Sequence, residues 1–324
     1  MNLQKLILVT ILTCFYLLCN CGIAYSWQYV GMSIPENDLK GVVVKCEMSH
    51  IISVSGKTPT IRMIAQIPQS VPNIQKINRV EFSVEPRRYF SRNGDKYAEI
   101  IINNPDKIEK VVITILAELY RYDLQTALND KKKNQFQETG LEEFLKEEKY
   151  IEKNDSNLSE IAASIKGTSE IEIVRNIYNY VLNNMEYLMQ GKKDRGALYA
   201  LKHKKGDCSE YSDLFVALCR AKKIPARVIT GISVQRDTKT ARHNWAEVYL
   251  KDYGWVPFDP SKGDVRSISR RDKLFNSLEP AYIYFSNIRN DITLRNYHYC
   301  LFTYYGDQVR TSDSIKFEFP EQLK

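Results

Sequence analysis

Lys205-Gly206-Asp207-Cys208-Ser209-Glu210-Tyr211, followed by Ala241-Arg242-His243-Asn244-Trp245-Ala246-Glu247-Val248-Tyr249 and Gly254-Trp255-Val256-Pro257-Phe258-Asp259-Pro260, decides how this chain is read. Asp207 with Glu210 three residues on, ahead of an apolar run, is a capping-box pattern. It makes Asp207 the N-cap and puts Cys208 in the first helical turn, where free N–H groups and the helix dipole favour an anion. A free thiol titrates near about 8.5, and a helix N-terminus or a neighbouring imidazolium lowers that to about 3.5–7.5. Gly206 lets the chain approach closely and adopt a positive φ if one is required. The same N–H groups can face a developing oxyanion, at roughly 3–4 kcal/mol per donor.

The helix after Cys208 reads as buried. Tyr211, Leu214, Phe215 and Leu218 keep helical spacing, and Ile224-Pro225 ends it. Arg227 to Val234 reads as a strand, and His243 to Leu250 as a second with His243, Trp245, Glu247 and Tyr249 on one face. Lys251-Asp252-Tyr253-Gly254 is turn chemistry, and a third strand, Trp255 to Phe258, delivers Asp259 at its end. Antiparallel neighbours joined by a short turn can bring His243 and Asp259 side by side, where a carboxylate fixes the imidazole tautomer and stabilises its charged form. Cys208, His243 and Asp259 therefore read as nucleophile, base and orienting acid. Each also has an ordinary reading. A lone Cys is more often a buried small hydrophobe, as Cys219 within the apolar run is expected to be, and an Asp before Pro is usually a turn. The ordered context of all three outweighs those separate readings.

These stretches resemble the transglutaminase-like superfamily, whose core has a papain-like cysteine-protease fold. The resemblance rests on Gly206 to Tyr211, Leu218-Cys219-Arg220-Ala221-Lys222-Lys223-Ile224-Pro225-Ala226-Arg227, Gly231, His243 to Tyr249 and Trp255 to Ser261. Upstream it takes in Ile161-Ala162, Ile177 to Val181 and Met185-Glu186-Tyr187, and it covers about residues 155 to 262. It implies a Cys208 nucleophile, a His243 general base and an Asp259 orienting acid. It departs at Lys223, where such helices often have Gly, and at Ser261, which replaces a common Thr; neither is expected to touch the triad. It also points to Tyr187 as the first oxyanion side chain to test and to Tyr199 as a weaker one, although Tyr187 also reads as a helix-end packing aromatic. Calcium-binding signatures of animal transglutaminases are not seen.

The first 26 residues carry one Lys, no acid and an apolar core from Leu6 to Leu18, with Ala24-Tyr25-Ser26 supplying small residues for cleavage. Residues 1–26 are expected to be an export signal, the apolar run being short for a membrane span. Leu18-Cys19-Asn20-Cys21-Gly22 loosely resembles a lipoprotein-processing site, and a lipoprotein form or an uncleaved anchor would tether the chain to a membrane. The charge balance of 46 Lys and Arg against 39 Asp and Glu, net +7, is modest. Lys202-His203-Lys204-Lys205 reads as a solvated face that can bias binding toward acidic groups, and nothing resembles a nucleic-acid-binding module. Of the seven Cys, three fall in residues 1–26, and Cys46 and Cys300 can pair in an oxidising compartment, although spacing alone does not establish it. With no CxxC and no paired His at metal spacing, no metal and no cofactor are expected.

The expected fold is α+β, a papain-like transglutaminase core with its active-site helix packed on an antiparallel sheet, preceded by a β-rich domain. Short alternating runs, Gly41 to Cys46, Thr60 to Ile67, Asn78 to Val84, Tyr97 to Ile102 and Lys110 to Leu119, place that β-rich domain at 27–130. A charged helical linker is expected at 131–154 and the catalytic core at 155–264. A Tyr-rich segment at 265–324, with strands at Ala281 to Phe285 and Tyr297 to Tyr304, completes the core or forms an accessory sheet. The implied activity is a thiol-dependent amide-bond enzyme working through an acyl-enzyme on Cys208, with peptide or protein substrates outside the cytoplasm. Hydrolysis is favoured over glutamine-dependent crosslinking, and a non-catalytic scaffold is the reading from another class. A scaffold has no need of a thiol at a helix N-terminus.

Overall fold

The computed structural model describes residues 41–129, 139–189, 194–234 and 242–320; the expected export signal lies outside these residues. Helix α5, Cys208–Ala221, is the centre of the helix-and-sheet half, and its start follows from Asp207. The Asp207 carboxylate accepts from the Ser209 N–H at 2.9 Å, and Glu210 accepts from the Asp207 N–H at 3.1 Å, which closes the capping box. Gly206 is required for close approach rather than for positive φ, because a Cβ there would lie 2.3 Å from the Glu210 Cβ. At the other end Lys223 takes a left-handed φ of 61°. That is the conformation glycine favours at this place in a helix stop.

Every residue from Ser209 to Arg220 is buried. The helix packs on one face of an antiparallel sheet of order β12-β11-β10-β14, built from β10 (Ala226–Ser233), β11 (Arg242–Leu250), β12 (Gly254–Phe258) and β14 (Tyr282–Ser286). Ala226, Val228, Ala246, Val248 and Val256 supply the sheet side of this core. Its outer side is covered by α2 (Ser156–Ser164) and α3 (Glu170–Asn184), through Leu158, Val174, Ile177 and Val181. Of the chain expected to be a charged helical linker, residues 139–154 hold only a 3-10 turn at Leu141–Leu145 and belong to this core. Ile151 is fully buried, Phe144 packs edge-on against Trp255, and Arg220 binds the Lys146 carbonyl and Glu148. The charges that suggest a solvated helix are spent on pinning this segment to α5.

The N-terminal part is a sandwich of two four-stranded sheets. One has the order β16-β1-β6-β3, from β1 (Gly41–Val54), β3 (Gln75–Phe82), β6 (Ile108–Tyr120) and β16 (Val309–Glu318). The other has the order β15-β2-β5-β4, from β2 (Thr60–Ile67), β4 (Arg88–Arg92), β5 (Asp95–Asn103) and β15 (Cys300–Tyr305). Alternating residues of β1 and β6 fill the interior, Val44, Cys46 and Met48 lying beside Ala117, Ile115 and Ile113 in register. The Tyr-rich C-terminal segment serves both halves. Its β14 completes the sheet that packs on α5, while β15 pairs with β2 and β16 with β1. Cys46 and Cys300 are separate buried thiols. Burial, with Glu47 adding to it, pushes Cys46 up to about 12.

The two halves share a seam. Ile232, Ile283 and Phe285 of the sheet that packs on α5, with Val234 just past β10, belong to the sandwich core. Gln75 of β3 closes the edge of β14: its amide nitrogen donates to the Tyr284 carbonyl at 2.9 Å and its amide oxygen accepts the Tyr284 N–H at 2.8 Å. One side-chain amide thus stands in for a neighbouring strand. Gln75→Leu keeps the volume and removes both bonds, leaving buried backbone groups unpaired. A loss of about 2–3 kcal/mol is expected, read as a lower urea midpoint with an unchanged m-value.

Candidate active site

Register brings the triad residues together. Ala246 of β11 pairs with Phe258 of β12, so Asp259 emerges just past the end of β12, diagonal to His243. The His243 Nε2 lies 2.6 Å from Asp259 Oδ2, and both side chains are almost fully buried. Asp259 is also the N-cap of α6 (Pro260–Gly263) and accepts from the Lys262 N–H at 3.0 Å and from Ser261 Oγ at 2.7 Å. Ser261 therefore does touch the triad, against the sequence expectation, because its hydroxyl folds back across the cap. Lys223, at the far end of α5, is the departure that leaves the triad alone.

Burial raises the Asp259 carboxyl, but the His243 charge and the donors around it win and hold it at about 2. For His243 burial pulls downward, while the charge and hydrogen bond of Asp259, with a further hydrogen bond to Cys208, push it up to about 10. The imidazole is therefore cationic at neutral pH. With Nε2 committed to Asp259, Nδ1 is the ring atom left for the sulfur. Cys208 is partly exposed at the helix mouth, whereas Cys219 is fully buried in the α5 core, as expected for a packing thiol.

Below the imidazole lies an aromatic floor. Trp245 stacks on His243 at 5.9 Å between ring centroids, and Tyr282 meets Trp245 edge-on at 5.0 Å. Gly231 is paired with His243 across β10 and β11 and has no room for a side chain, since a Cβ would lie 2.5 Å from the Trp245 ring and 2.2 Å from the Ile283 carbonyl. On the helix side Asn244 donates to Ser209 Oγ at 3.0 Å, tying β11 to the first turn of α5.

Tyr187 stands in the short parallel pair of β8 (Glu186–Tyr187) and β9 (Lys205–Gly206), opposite Gly206 and two residues from Cys208 in that register. Its ring is tilted against Tyr211 at 6.0 Å. Burial first, and then the charges of Cys208, Asp207, Asp259 and Glu210, push its phenol up to about 12, so it stays a donor at neutral pH. Tyr199, on α4 (Ala197–His203), is instead stacked on His203 at 4.3 Å with the Arg195 guanidinium over its ring. The cap engages the N–H groups of Ser209 and Glu210 rather than that of Cys208. Beside the Tyr187 phenol, the Cys208 N–H is thus the backbone donor at this corner.

Two contributors escape sequence reading. Tyr282 OH donates to Asp259 Oδ2 at 2.8 Å; the only signal for it was its place in a strand-like Tyr-rich run. Arg289 forks onto Asp213 in the middle of α5 at 2.7 and 2.9 Å and reaches Asp194 at 2.8 Å. No spacing rule links residues so far apart in sequence. Among the described residues no group of three His, Cys, Asp or Glu is placed to hold a metal ion, and no helix is long and apolar enough to cross a membrane.

With this geometry in place, the likenesses to known proteins fall into line. Residues 159–260 match the family model of the Transglutaminase-like superfamily. A candidate cysteine protease from Cytophaga hutchinsonii has a crystal structure that aligns over 87% of this chain and 92% of its own, with a TM-score of 0.60 at 17% identity. That likeness is one of fold. An uncharacterised Haemophilus influenzae protein is 26% identical over 226 residues, 55% of this chain and 61% of that protein. The uncharacterised Bacillus subtilis protein YebA is 30% identical over 101 residues, 27% of this chain but 14% of its own length. The chain thus spans less than two thirds of either curated relative. Residues 159–260, with Cys208, His243 and Asp259 gathered at one helix mouth, match the transglutaminase-like family model and carry the papain-like core fold.

Proposed function

We propose that this protein is a thiol hydrolase of peptide or protein amides, with Cys208 as nucleophile, His243 as acid and base, Asp259 as orienting acid and Tyr187 with the Cys208 N–H as the oxyanion site. The observation that carries the reading is the buried His243–Asp259 contact of 2.6 Å beside a thiol that caps no other role. The Cys208 sulfur attacks the amide carbonyl carbon and a C–S bond forms. The C–N bond breaks, and the leaving amine takes the proton that His243 held. Water then attacks the thioester, gives a proton to His243 and releases the acid as the C–S bond breaks. Substrates outside the cytoplasm are part of this proposal, supported by the leader-like composition of residues 1–26.

The test is a paired assay on a glutamine-containing protein such as casein, offered with a fluorescent primary amine. New N-termini without amine incorporation are expected. Incorporation with ammonia release and no cleavage would replace hydrolysis by amine transfer. Because His243 must carry a proton to protonate the leaving amine, turnover should fall as the pH rises through about 10. An alkaline limb near the ordinary imidazole value would show that Asp259 does not hold the imidazole as described.

A further inference from the structure

Asp259 Oδ2 carries two donors. One is His243 Nε2 at 2.6 Å and the other is the Tyr282 phenol at 2.8 Å, while Oδ1 accepts from Ser261 and from the Lys262 N–H. The Tyr282 phenol therefore shares one oxygen with the catalytic imidazole. Tyr282 is buried, its ring lies 5.9 Å from His243 and edge-on to Trp245, and the adjacent negative charge with burial keeps its hydroxyl protonated. It can only donate.

We infer that Tyr282 is a positioning residue of the active site, which competes with His243 for the Asp259 charge and is itself held in place by the N-terminal sandwich through Gln75. This deepens the thiol-hydrolase reading and rests on it for the consequence in turnover. Tyr282 lies on β14, outside residues 159–260 that match the family model. Two residues along the same strand, Tyr284 has its N–H and its carbonyl both taken by the Gln75 side chain of β3. The path runs from the sandwich through Gln75 and β14 to the phenol, the carboxylate and the imidazole. Every link is a hydrogen bond or a stretch of one short strand.

The physical effect follows from how a carboxylate divides its charge. A donor on Oδ2 draws electron density from that oxygen and weakens what remains for the imidazolium. Without it Asp259 would bind the His243 Nε2–H more strongly and make the imidazole as a whole more basic. His243 would then release its Nδ1 proton less readily to the leaving amine, although Tyr282 reaches the imidazole only through Asp259. A residue that acts this way changes kcat and leaves KM alone.

The experiment compares Tyr282→Phe, which keeps the ring and its packing, with site-specific replacement of Tyr282 by a difluorotyrosine, whose more acidic phenol is a stronger donor. Two signals are read in the full chain: the low-field proton resonance of the His243 Nε2–H, and the pH profile of kcat and KM. Tyr282→Phe should move the resonance downfield, shift the alkaline limb upward by roughly one pH unit and lower kcat about tenfold at constant KM. The difluorotyrosine protein should move the resonance and the limb in the opposite direction. An unmoved resonance in both proteins, or a shift of the same sign in both, overturns the inference. If iodoacetamide fails to alkylate Cys208 in the unmodified protein, the hydrolase reading falls instead, and the resonance still decides the role of Tyr282. Gln75→Glu, which keeps the acceptor toward the Tyr284 N–H but faces the Tyr284 carbonyl with a second acceptor, should reproduce the upward shift in part. No shift there would remove the sandwich from the path.

Discussion

Replacing Cys208 by Ala should remove turnover altogether, with kcat/KM falling by about 10⁴-fold or more, the scale on which nucleophile deletions act in triad enzymes. The expectation is sharp because Cys208 has little structural duty. Its side chain is partly exposed, and the helix start is secured by the side chains of Asp207 and Glu210. Ala at the first helical position is well tolerated, so the variant should melt where the parent does. Circular dichroism and a urea titration check that, and the peptide-cleavage assay with an active-site titration reads the activity. Undiminished cleavage by a folded Cys208→Ala protein would end the case for an acyl-enzyme. His243→Ala should lose nearly as much, because the two residues act as a unit and their losses do not add.

The largest effect on stability should come from Asp213→Ala. Asp213 sits in the middle of α5 with no exposed surface and receives both arms of the Arg289 fork. Burial raises its carboxyl and the guanidinium opposes that. An arginine is charged at any pH the fold survives, and two short bonds meet both carboxylate oxygens, so the pair is ionic. Removing the carboxylate strands a buried guanidinium that keeps Asp194 and the face of the Tyr150 ring. The expected cost is about 3–5 kcal/mol, whereas Asp213→Leu combined with Arg289→Met should come out near the parent. Urea midpoints at constant m-value separate the two cases. A single variant as stable as the parent would mean that water reaches Arg289 and that the pair is not a closed link. Since Arg289 follows β14, this link also ties the strand bearing Tyr282 to the helix bearing Cys208.

How much of this was legible in the sequence varies with the range of the interaction. The start of α5 was readable because a capping box is written within four residues, and its apolar run declared the burial. Strands β10, β11 and β12 and the delivery of Asp259 were readable because one short turn joins β11 to β12. Chain segments with clear alternation, such as Thr60 to Ile67, were placed within a residue or two. Residues 139–154 misled, because charge density does not distinguish a solvated helix from a coil whose charges bond backbone and helix ends. Ser261 was read as a neutral replacement because its contact with Asp259 depends on how the cap folds back.

The pairing of β15 with β2 and β16 with β1 lay beyond the sequence, since strand order is set by which edges remain unpaired once the other strands have docked. So did the roles of Gln75, Tyr282 and Arg289. Each is one polar residue among many, made specific by a partner far along the chain. The sequence by itself determined the helix that starts at Cys208, the order of thiol, imidazole and carboxylate, and the papain-like class, because these depend on local capping, alternation and one tight turn. Only the tertiary structure decided which groups surround the Asp259 carboxylate and how the sandwich reaches it. A buried charge is governed by every donor within hydrogen-bonding distance, and those donors are assembled by packing rather than by proximity in sequence.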